Sequence, residues 1–573
     1  MKLTLSLCAL MCAALLFGET VEYPNYRKVI GTSPNEKKII YFGWMQPNTL
    51  AAFNSALENF PKDCPIDGIG IRPSFPLKRD GKIINYRISH PERPLQKLTH
   101  EDFAEWIPAM KRLQQTSLKH NFILTASILF NADWFDDEAW ALTMNNFSTM
   151  AWLAKETGFE GLCLDIEPYS FSGLPFMYRS ELGHTFEETA IQVRKRAREW
   201  TLELNRQFPG LTLFTFFWTS QCNSAIKAAA PEMQNASQTG LQIAFFNGVY
   251  DVAPENMKIV DGNEGAGYHA WQVSDYDSFV AKFLRYGDAW IAPEHRAKFW
   301  RQTQVGVALY LDSYVPREGA TTWNIFTKTD NPTKLLQTNI RRCLDYADEY
   351  VWIWAERGTF WPKVVKAKPN EDWNYRLPYA LEAIAAGKNP IQEAMKYADK
   401  RNIVNNGTFE AGDSGPSGGP EQYACGIRGW SLYQMKGAPK GKVVSENGCG
   451  RMTGITSGCM TQLTRDFVKG KTYIMTVKAK KISENVMPTF SFFYRNAKGQ
   501  GLWSLTQHGS FGAPDADGWM TSAILFTVPT DEDAASITIN VGCAGGGGDI
   551  LVTDASMYQV NFPWENLKAE IRK

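Results

Sequence analysis

Residues 160–169, with the sequence EGLCLDIEPY, contain the pattern that decides the fold of the larger part of this chain. The apolar run has the length of a buried β-strand, and it ends in two acidic residues, Asp165 and Glu167. A run with helical periodicity follows at residues 185–208, and Thr185 before two glutamates predicts its first turn. A buried strand followed by a helix is the repeating unit of parallel α/β proteins.

The same unit recurs from residue 37 to about residue 387. Eight units of this kind predict a (β/α)8 TIM barrel over residues 36–388, with reacting groups at the C-terminal ends of its strands. An open doubly wound sheet is the alternative, but no GxGxxG phosphate loop follows the first predicted strand. The predicted strands are residues 38–44, 66–73, 122–129, 161–167, 211–218, 241–247, 305–311 and 350–355.

The composition changes after Asn389, where Gly-rich turns separate short segments of alternating polar and apolar residues. This pattern predicts an all-β jelly-roll or β-sandwich domain over residues 402–563, joined to the barrel by a linker at residues 389–401. The fold class is therefore multidomain, with an α/β barrel followed by a β-sandwich. The length of 573 residues agrees with this, because single cores stop growing near about 250–300 residues.

Charge and composition restrict the possible partners. Lys and Arg together number 60, as do Asp and Glu, so the formal net charge is zero. We therefore expect no nucleic-acid partner, since such proteins rely on a basic surface. Aromatic residues make up 13% of the chain and include 19 Trp, which indicates either an aromatic core or rings that stack on flat ligand faces.

The first residues predict export. A positive start at Lys2, an apolar run to Phe17 and the small residue Gly18 are typical of a secretory signal peptide, here residues 1–18. We expect a secreted or periplasmic protein, and a monomer. No later apolar run is long enough for a membrane span, so none is expected.

The cysteines leave two interpretations open. Four of them fall in the last quarter of the chain, where they could form two disulfides or remain free thiols: Cys425, Cys449, Cys459 and Cys543. No CxxC pair or Cys/His cluster indicates zinc. We expect no metal and no cofactor in catalysis.

Carboxyl groups at the predicted strand ends carry the catalytic hypothesis. Asp165 and Glu167 lie two residues apart on a strand, so both side chains point into the barrel mouth. Neighbouring carboxyls repel as anions, which raises the pKa of one and leaves an acid beside an anion, as glycoside hydrolysis requires. The alternative is that the pair only binds loop amides. Further candidates near other strand ends are Glu264, Asp312 and Glu356, together with Asp251 and Asp261.

Aromatic and basic residues near the same strand ends predict substrate contacts. Rings there could stack on sugar faces, although a single ring is more often part of a core; these are Trp44, Trp218, Tyr250, Tyr310 and Trp354. Arg72 and Arg357 could receive an acidic sugar by bidentate pairing, or could form ion pairs with neighbouring carboxylates.

The stretch of residues 160–167 resembles the fourth-strand motif of family 18 glycoside hydrolases. The resemblance implies that Glu167 is the acid/base residue and that Asp165 orients a substrate acetamide group. It departs from the family at Cys163, where the family has Asp, and at Glu160, which replaces a leading Asp.

The last 160 residues or so resemble carbohydrate-binding modules of the family 4 type. The resemblance lies in residues 403–410, 429–433 and 469–473. It implies that Trp430, Tyr433 and Trp503 are sugar platforms, although burial between two sheets is the stronger interpretation for Trp430. Some modules of this type hold a structural Ca²⁺, and the sequence does not locate one here.

These observations predict an exported glycoside hydrolase that acts on complex glycans, including mucin-type, amino-sugar or acidic-sugar chains. Its partner would be an oligosaccharide, a polysaccharide or a glycoprotein glycan. One alternative is a non-catalytic glycan-binding protein with a degenerate barrel, which Cys163 favours. Another is a sialidase-like enzyme that removes terminal acidic sugars with Arg72 and Arg357.

Overall fold

The chain divides into two units, and the division falls between Ile384 and Ala385. A computed structural model describes residues 37–567 except residues 44–46, 59–63, 80–81, 88–95, 127–132, 168–173, 223–234, 317–322, 362, 364, 416–421, 438–440, 531–532 and 546. The predicted signal peptide and Trp44 lie outside the described residues.

The first unit is built on a parallel sheet that curls into a nearly closed barrel, which confirms the predicted fold class. Neighbouring strands pair in the order β10-β11-β1-β2-β5-β6-β7-β8-β9. These strands are β1 Lys38–Gly43, β2 Gly68–Ile71, β5 Phe122–Ala126, β6 Gly161–Asp165, β7 Thr212–Thr215, β8 Lys258–Asp261, β9 Thr303–Val305, β10 Val307–Tyr310 and β11 Tyr350–Ala355. A separate hairpin consists of β3 Ser74–Arg79 and β4 Lys82–Arg87.

The barrel closes through one interrupted strand. Strand β9 pairs with β8 and strand β10 pairs with β11, while only Gly306 separates β9 from β10. A Cβ atom on Gly306 would lie 2.8 Å from Val260 Cγ1, so a side chain would crowd the adjacent strand. The two segments therefore act as the seventh of eight barrel strands.

Helices separate the barrel strands, as the repeating pattern predicts. They are α1 Leu50–Glu58, α2 Trp106–Leu113, α3 Asp137–Thr157, α4 Phe186–Gln207, α5 Gln242–Val252, α6 Glu264–Gly267, α7 Val273–Trp290, α8 Arg296–Gln302, α9 Pro332–Tyr346, α10 Trp373–Arg376 and α11 Ala380–Lys388. Helix α4 begins where predicted, because Thr185 accepts from the Glu188 N–H and donates its own N–H to the Glu188 carboxylate. None of the described helices has the length and apolarity needed to cross a membrane.

One predicted strand is wrong. Residues 241–247 lie at the start of helix α5, and the sixth strand is β8, Lys258–Asp261. Most of helix α5 is buried, so its apolar run lacks the one-sided periodicity that distinguishes a helix from a buried strand. Asp251 consequently lies on helix α5, where it pairs with Arg194 at 2.7 Å and His295 at 2.6 Å, and not at a strand end.

The barrel interior is filled largely with aromatic rings. Phe42 makes ring contacts with Phe214, Phe216 and Trp352, and Phe216 stacks on Trp352 with centroids 4.4 Å apart. Strand β2 supplies glycine instead of a ring, and a Cβ atom on Gly70 would lie 2.1 Å from the Phe42 ring. The large rings of β1, β7 and β11 therefore fit because β2 has no side chain at that position.

A charged layer closes the N-terminal end of the barrel. Glu349 accepts from Lys38 at 2.5 Å and from Lys258 at 3.2 Å, and it is almost fully buried. Glu160 binds His120 at 2.5 Å. The acidic residue that leads the family 18-like stretch therefore lies at the end of strand β6 opposite to Asp165.

The second unit consists of two antiparallel sheets, which confirms the predicted β-sandwich. One sheet has the order β12-β13-β16-β21-β18-β19 and the other β14-β15-β22-β17-β20. The strands are β12 Gln422–Ala424, β13 Ser431–Gln434, β14 Lys442–Glu446, β15 Cys449–Thr453, β16 Ser457–Thr464, β17 Thr472–Lys481, β18 Val486–Arg495, β19 Gly501–Gly509, β20 Trp519–Thr527, β21 Ser536–Gly545 and β22 Asp549–Val560. Helix α12, Pro390–Lys396, lies in the segment predicted as a linker and packs on β17 and β20.

The four cysteines of this unit are free thiols. Cys459 pairs in register with Gly542, and Cys543 pairs with Gly458. Because successive side chains of a strand point to opposite faces, Cys459 and Cys543 lie on opposite faces of one sheet. Their register explains why these two neighbours in the fold form no disulfide.

We expect Gly70→Ala to destabilise the protein by about 1–3 kcal/mol or more, because the added methyl group must displace the buried Phe42 ring. The measurement is the free energy of unfolding from urea titration. Gly265→Ala is the matched control, since no atom lies within 4 Å of the added Cβ there. Equal stability of the two variants would show that the glycine of β2 is not required for packing.

Candidate active site

Two acidic side chains lie at the C-terminal end of strand β6. Cys163 faces the barrel interior, so the alternation along the strand points Asp165 in the same direction, at the mouth. Glu167 follows two residues later, and its backbone N–H donates to Asp165 Oδ1 at 3.1 Å. Both residues are half-buried. The predicted pair is therefore adjacent and reaches the rim of the barrel.

A third carboxyl, that of Glu264, joins this pair. Glu264 begins helix α6, directly beyond strand β8, and its Oε2 atom is buried. Burial raises the pKa of the Glu264 carboxyl well above its usual range, and the charges of Asp165 and Glu167 raise it further. The Tyr268 hydroxyl interacts with the carboxyl and opposes this shift. The three carboxyls therefore lie close enough for their charges to act on one another.

The buried thiol of Cys163 lies beneath the three carboxyls. Burial raises its pKa well above the usual range, and Asp165 and Glu264 add to the shift while Arg72 opposes it. The thiol therefore stays protonated. A carboxylate at this position would add a further buried negative charge, so cysteine lowers the repulsion in the mouth.

Asp312 is an anchor for the loop that follows strand β11. Its carboxylate accepts from the backbone N–H of Glu356 at 2.7 Å and that of Arg357 at 3.2 Å, and it pairs with Arg376 at 3.0 Å. Only 1% of its side chain is exposed. These contacts occupy both oxygens and hold the backbone of the loop that follows strand β11.

Glu356 lies at the rim and is oriented by a tyrosine. The Tyr310 hydroxyl donates to Glu356 Oε2, and the ring of Tyr310 stacks on Tyr268 with centroids 4.8 Å apart. Tyr268 also interacts with Glu264. The two stacked tyrosines thus connect the carboxyl beyond strand β8 with the carboxyl beyond strand β11.

Two predicted substrate residues are part of the core instead. Trp218 and Tyr250 are fully buried, and the Trp218 indole N–H donates to the Tyr250 hydroxyl at 2.9 Å. The same hydroxyl lies 2.6 Å from Thr303 Oγ1. Tyr250 lies on helix α5, so this pair fixes the helix to the barrel wall and offers no ring face to a ligand.

Arg72 and Trp354 lie together at the mouth. The Arg72 guanidinium is 5.8 Å from the Trp354 ring centroid and donates to the Gly43 carbonyl at 2.5 Å. Trp354 is half-buried and is in edge contact with Phe216. The side chain of Arg357 is exposed beyond strand β11. Of the predicted basic residues, Arg72 is the one in contact with the interior of the mouth.

Asp261 organises the neighbouring loop. This buried carboxylate accepts from the backbone N–H groups of Trp218 at 3.1 Å and Ser220 at 2.9 Å, and from Asn263 at 3.3 Å. Burial raises the pKa of Asp261, and these donors oppose the shift. The network fixes the segment that carries Glu264.

The sequence did not indicate Tyr268 or Arg376 as site residues. Tyr268 lies four residues after Glu264, a spacing that would bring both onto one face of a helix. No comparable signal exists for Arg376, which pairs with Asp312 across 64 residues.

Within the described part of the chain, no group of three or more His, Cys, Asp and Glu residues could hold a metal ion.

The predicted platforms of the second unit occupy different environments. Trp430 is fully buried against Phe409 with centroids 4.9 Å apart, so it belongs to the core and cannot be a platform. Tyr433 is half-buried, and Trp503 is 67% exposed. The Trp503 ring rests on Phe493 with centroids 4.4 Å apart.

Tyr433 and Trp503 share one surface, which we call the outer face of the six-stranded sheet. Alternate residues of these strands, such as Met460 and Phe490, point into the core, so the others point outward. One row across the sheet pairs Thr461 with Asn540, Asn540 with Ser491 and Ser491 with His508. The outer face therefore carries hydroxyl, amide and imidazole groups between Tyr433 on β13 and Trp503 on β19.

Comparison with known proteins gave matches among solved structures only. No protein-family profile matches the chain, and no curated protein matches it. A family 4 carbohydrate-binding module is similar to this chain at 20% identity and a TM-score of 0.21, over 27% of this chain and 99% of that chain. The CBM22-1 xylan-binding domain from Paenibacillus barcinonensis Xyn10C is similar at 14% identity and a TM-score of 0.20, over 28% of this chain and 96% of that chain. The enzymatically active domain of tailspike protein 4 of bacteriophage CBA120 is similar at 17% identity and a TM-score of 0.20, over 28% of this chain and 21% of that chain.

We expect the Glu264 carboxyl to make the protein less stable as the pH rises. Its pKa is higher in the folded than in the unfolded chain, so the folded state binds more protons above the ordinary glutamate pKa. Between pH 5 and 7 the free energy of unfolding of the native protein should therefore fall relative to that of Glu264→Gln. The difference should change by at most about 1.4 kcal/mol per pH unit. Urea titration at several pH values measures this. Parallel pH curves for Glu264→Gln and the native protein would contradict it, and the exposed Glu255→Gln serves as control.

Proposed function

We propose that this protein is an exported glycoside hydrolase that cleaves complex glycans at the mouth of its barrel. The observation that supports this most directly is the group of three carboxyls at the mouth, in which the charges of Asp165 and Glu167 raise the pKa of Glu264. Glycosidic bonds are cleaved by one carboxyl that donates a proton and another that stabilises or attacks the positive carbon. A mouth that holds several interacting carboxyls can supply both groups.

We assign the proton donor to Glu167. It is half-buried beyond the end of strand β6, where a ligand in the mouth can reach it, whereas Glu264 Oε2 is inaccessible. Asp165 accepts the Glu167 backbone N–H and so helps to hold the donor's backbone in place. The resemblance to family 18 supports the same assignment for Glu167 and an orienting role for Asp165.

Glu264 and Glu356 then differ in their roles. The pKa of Glu264 is raised by the charges of Asp165 and Glu167, so Glu264 is placed to tune the electrostatics of that pair. Glu356 accepts from Tyr310 and lies at the rim, which suits binding of substrate hydroxyls. Asp312 positions the backbone of Glu356 and does not take part in the chemistry.

The second unit supplies a separate glycan-binding surface in this proposal. The outer face presents polar groups between two aromatic residues, Tyr433 and Trp503, and their strands β13 and β19 lie about 19 Å apart across the sheet. Rings at both ends and hydrogen-bonding groups between them suit an extended sugar chain. A structural Ca²⁺ in this unit remains a prediction.

A non-catalytic glycan-binding protein is the second candidate, and Cys163 favours it. The thiol occupies the position where the family 18 motif has a carboxylate, and its raised pKa keeps it neutral. Binding of a glycan without turnover would identify this case. A terminal acidic sugar would require Arg72, whose guanidinium already donates to the Gly43 carbonyl and faces Trp354.

We expect Glu167→Gln to lower kcat on the best aryl glycoside by about a hundredfold or more, because the amide keeps the shape but cannot donate the proton. Steady-state kinetics on a panel of p-nitrophenyl glycosides measure this. Glu255→Gln is the control, because Glu255 is exposed between α5 and β8, at the opposite end of the barrel, and pairs with Arg301. Native-like turnover by Glu167→Gln would rule out the assignment.

We expect Trp503→Ala to weaken binding to a soluble polysaccharide by about tenfold, and to leave kcat on a small aryl glycoside unchanged. A tethered second site raises the local substrate concentration and contributes no chemistry. Affinity electrophoresis against xylan, glycol chitin and mucin measures the binding. Val468→Ala, which removes another exposed apolar side chain of this unit, is the control. Loss of small-substrate turnover in Trp503→Ala would argue against separate roles for the two units.

A further inference from the structure

We propose that Trp323 is a sugar-stacking platform of the barrel mouth, placed beside the carboxyl groups of Glu264 and Glu356. This inference deepens the proposed function and rests on it. The sequence pattern did not indicate Trp323, because it follows no predicted strand directly. The ligand is a carbohydrate whose pyranose ring can present a face of C–H groups to the indole.

Ring contacts place Trp323 at the mouth. Its centroid lies 5.9 Å from that of Tyr268 and 5.9 Å from that of Tyr310. Tyr268 and Tyr310 stack on each other, and the indole is nearly perpendicular to both, at 81° and 88°. Contacts of this kind are edge-to-face, so the indole does not lie flat on either tyrosine ring.

The same two tyrosines connect Trp323 to two carboxyls of the mouth. The Tyr310 hydroxyl donates to Glu356, and the Tyr268 hydroxyl interacts with Glu264. The indole is thus one ring away from each of the two carboxyls. A sugar that lies on the indole would have its hydroxyl groups next to the rim.

The exposure of Trp323 supports a ligand role. The residue is 39% exposed, whereas Tyr268 and Tyr310 beneath it are buried. The exposed part of the indole is apolar surface that a ligand can cover, and covering it favours binding because apolar area is removed from water.

The backbone at Trp323 points to the same conclusion. Its φ angle is +53°, in the left-handed region that bulky residues rarely occupy. Glycine or asparagine would adopt this angle at a lower cost. Strained conformations of this kind concentrate at ligand-binding sites, where the side chain must be held in one place.

The test compares Trp323→Ala and Trp323→Phe with the native protein on p-nitrophenyl glycosides of glucose, xylose, galactose, N-acetylglucosamine and sialic acid, and on the matching tetrasaccharides. Tyr379→Ala is the matched control, because Tyr379 is also 39% exposed and has a φ of +64°. Thermal unfolding of each variant shows that the fold is intact.

We expect KM on the hydrolysed tetrasaccharide to rise about tenfold in Trp323→Ala, with a smaller rise in Trp323→Phe and a nearly constant kcat. Tyr379→Ala should keep both parameters. If the native protein hydrolyses the tetrasaccharide and KM is unchanged in Trp323→Ala, the role of Trp323 as a platform would be overturned. The proposed function would not be affected by that result.

If the native protein hydrolyses none of these substrates, the proposed function fails by itself. Calorimetric titration of the full chain with chitotetraose, xylotetraose and cellotetraose then tests whether Trp323 is a sugar-stacking platform. A Kd that is about tenfold weaker in Trp323→Ala supports it. Equal affinities, or no binding by either protein, would overturn it.

Discussion

The alternation of side chains along eight parallel strands is the constraint on which the first unit depends. Every second residue must enter an interior closed to water, and aromatic rings such as Phe42, Phe214 and Trp352 fill that space. The same alternation continues past the last packed layer. Beyond Cys163 it brings Asp165 to the mouth, and beyond Trp354 it brings Glu356. One periodicity therefore determines both which side chains fill the interior and which carboxyls reach the mouth.

Charge is distributed unequally between the two ends of the barrel. At the N-terminal end, Glu349 is matched by Lys38 and Lys258, so the buried charges are compensated and that end is a structural closure. At the mouth, Glu264 shares its surroundings with two other carboxyls, and burial adds to their repulsion. The buried charges are therefore compensated at one end of the barrel, while at the other end interacting carboxyls raise the pKa of Glu264.

Residues of similar type serve different purposes because their surroundings differ. In the second unit Trp430 is in the core while Trp503 is on the outer face. At the mouth of the barrel Asp312 anchors a loop through Arg376, whereas Glu356, bound to Tyr310, lies at the rim. Residue type and distance along the chain do not distinguish these cases, because each depends on what packs against the side chain.

The sequence by itself determined the two-domain architecture, seven of the barrel strands, the start of helix α4 and the acidic pair Asp165 and Glu167. These follow from local periodicity, which a single chain displays directly. Only the tertiary structure assigned residues 241–247 to a helix, buried Trp218 and Tyr250, and gathered Glu264 and Tyr268 next to strand β6. Periodicity cannot show which side of a buried segment is covered, or which distant strand ends meet, because both depend on closure of the barrel.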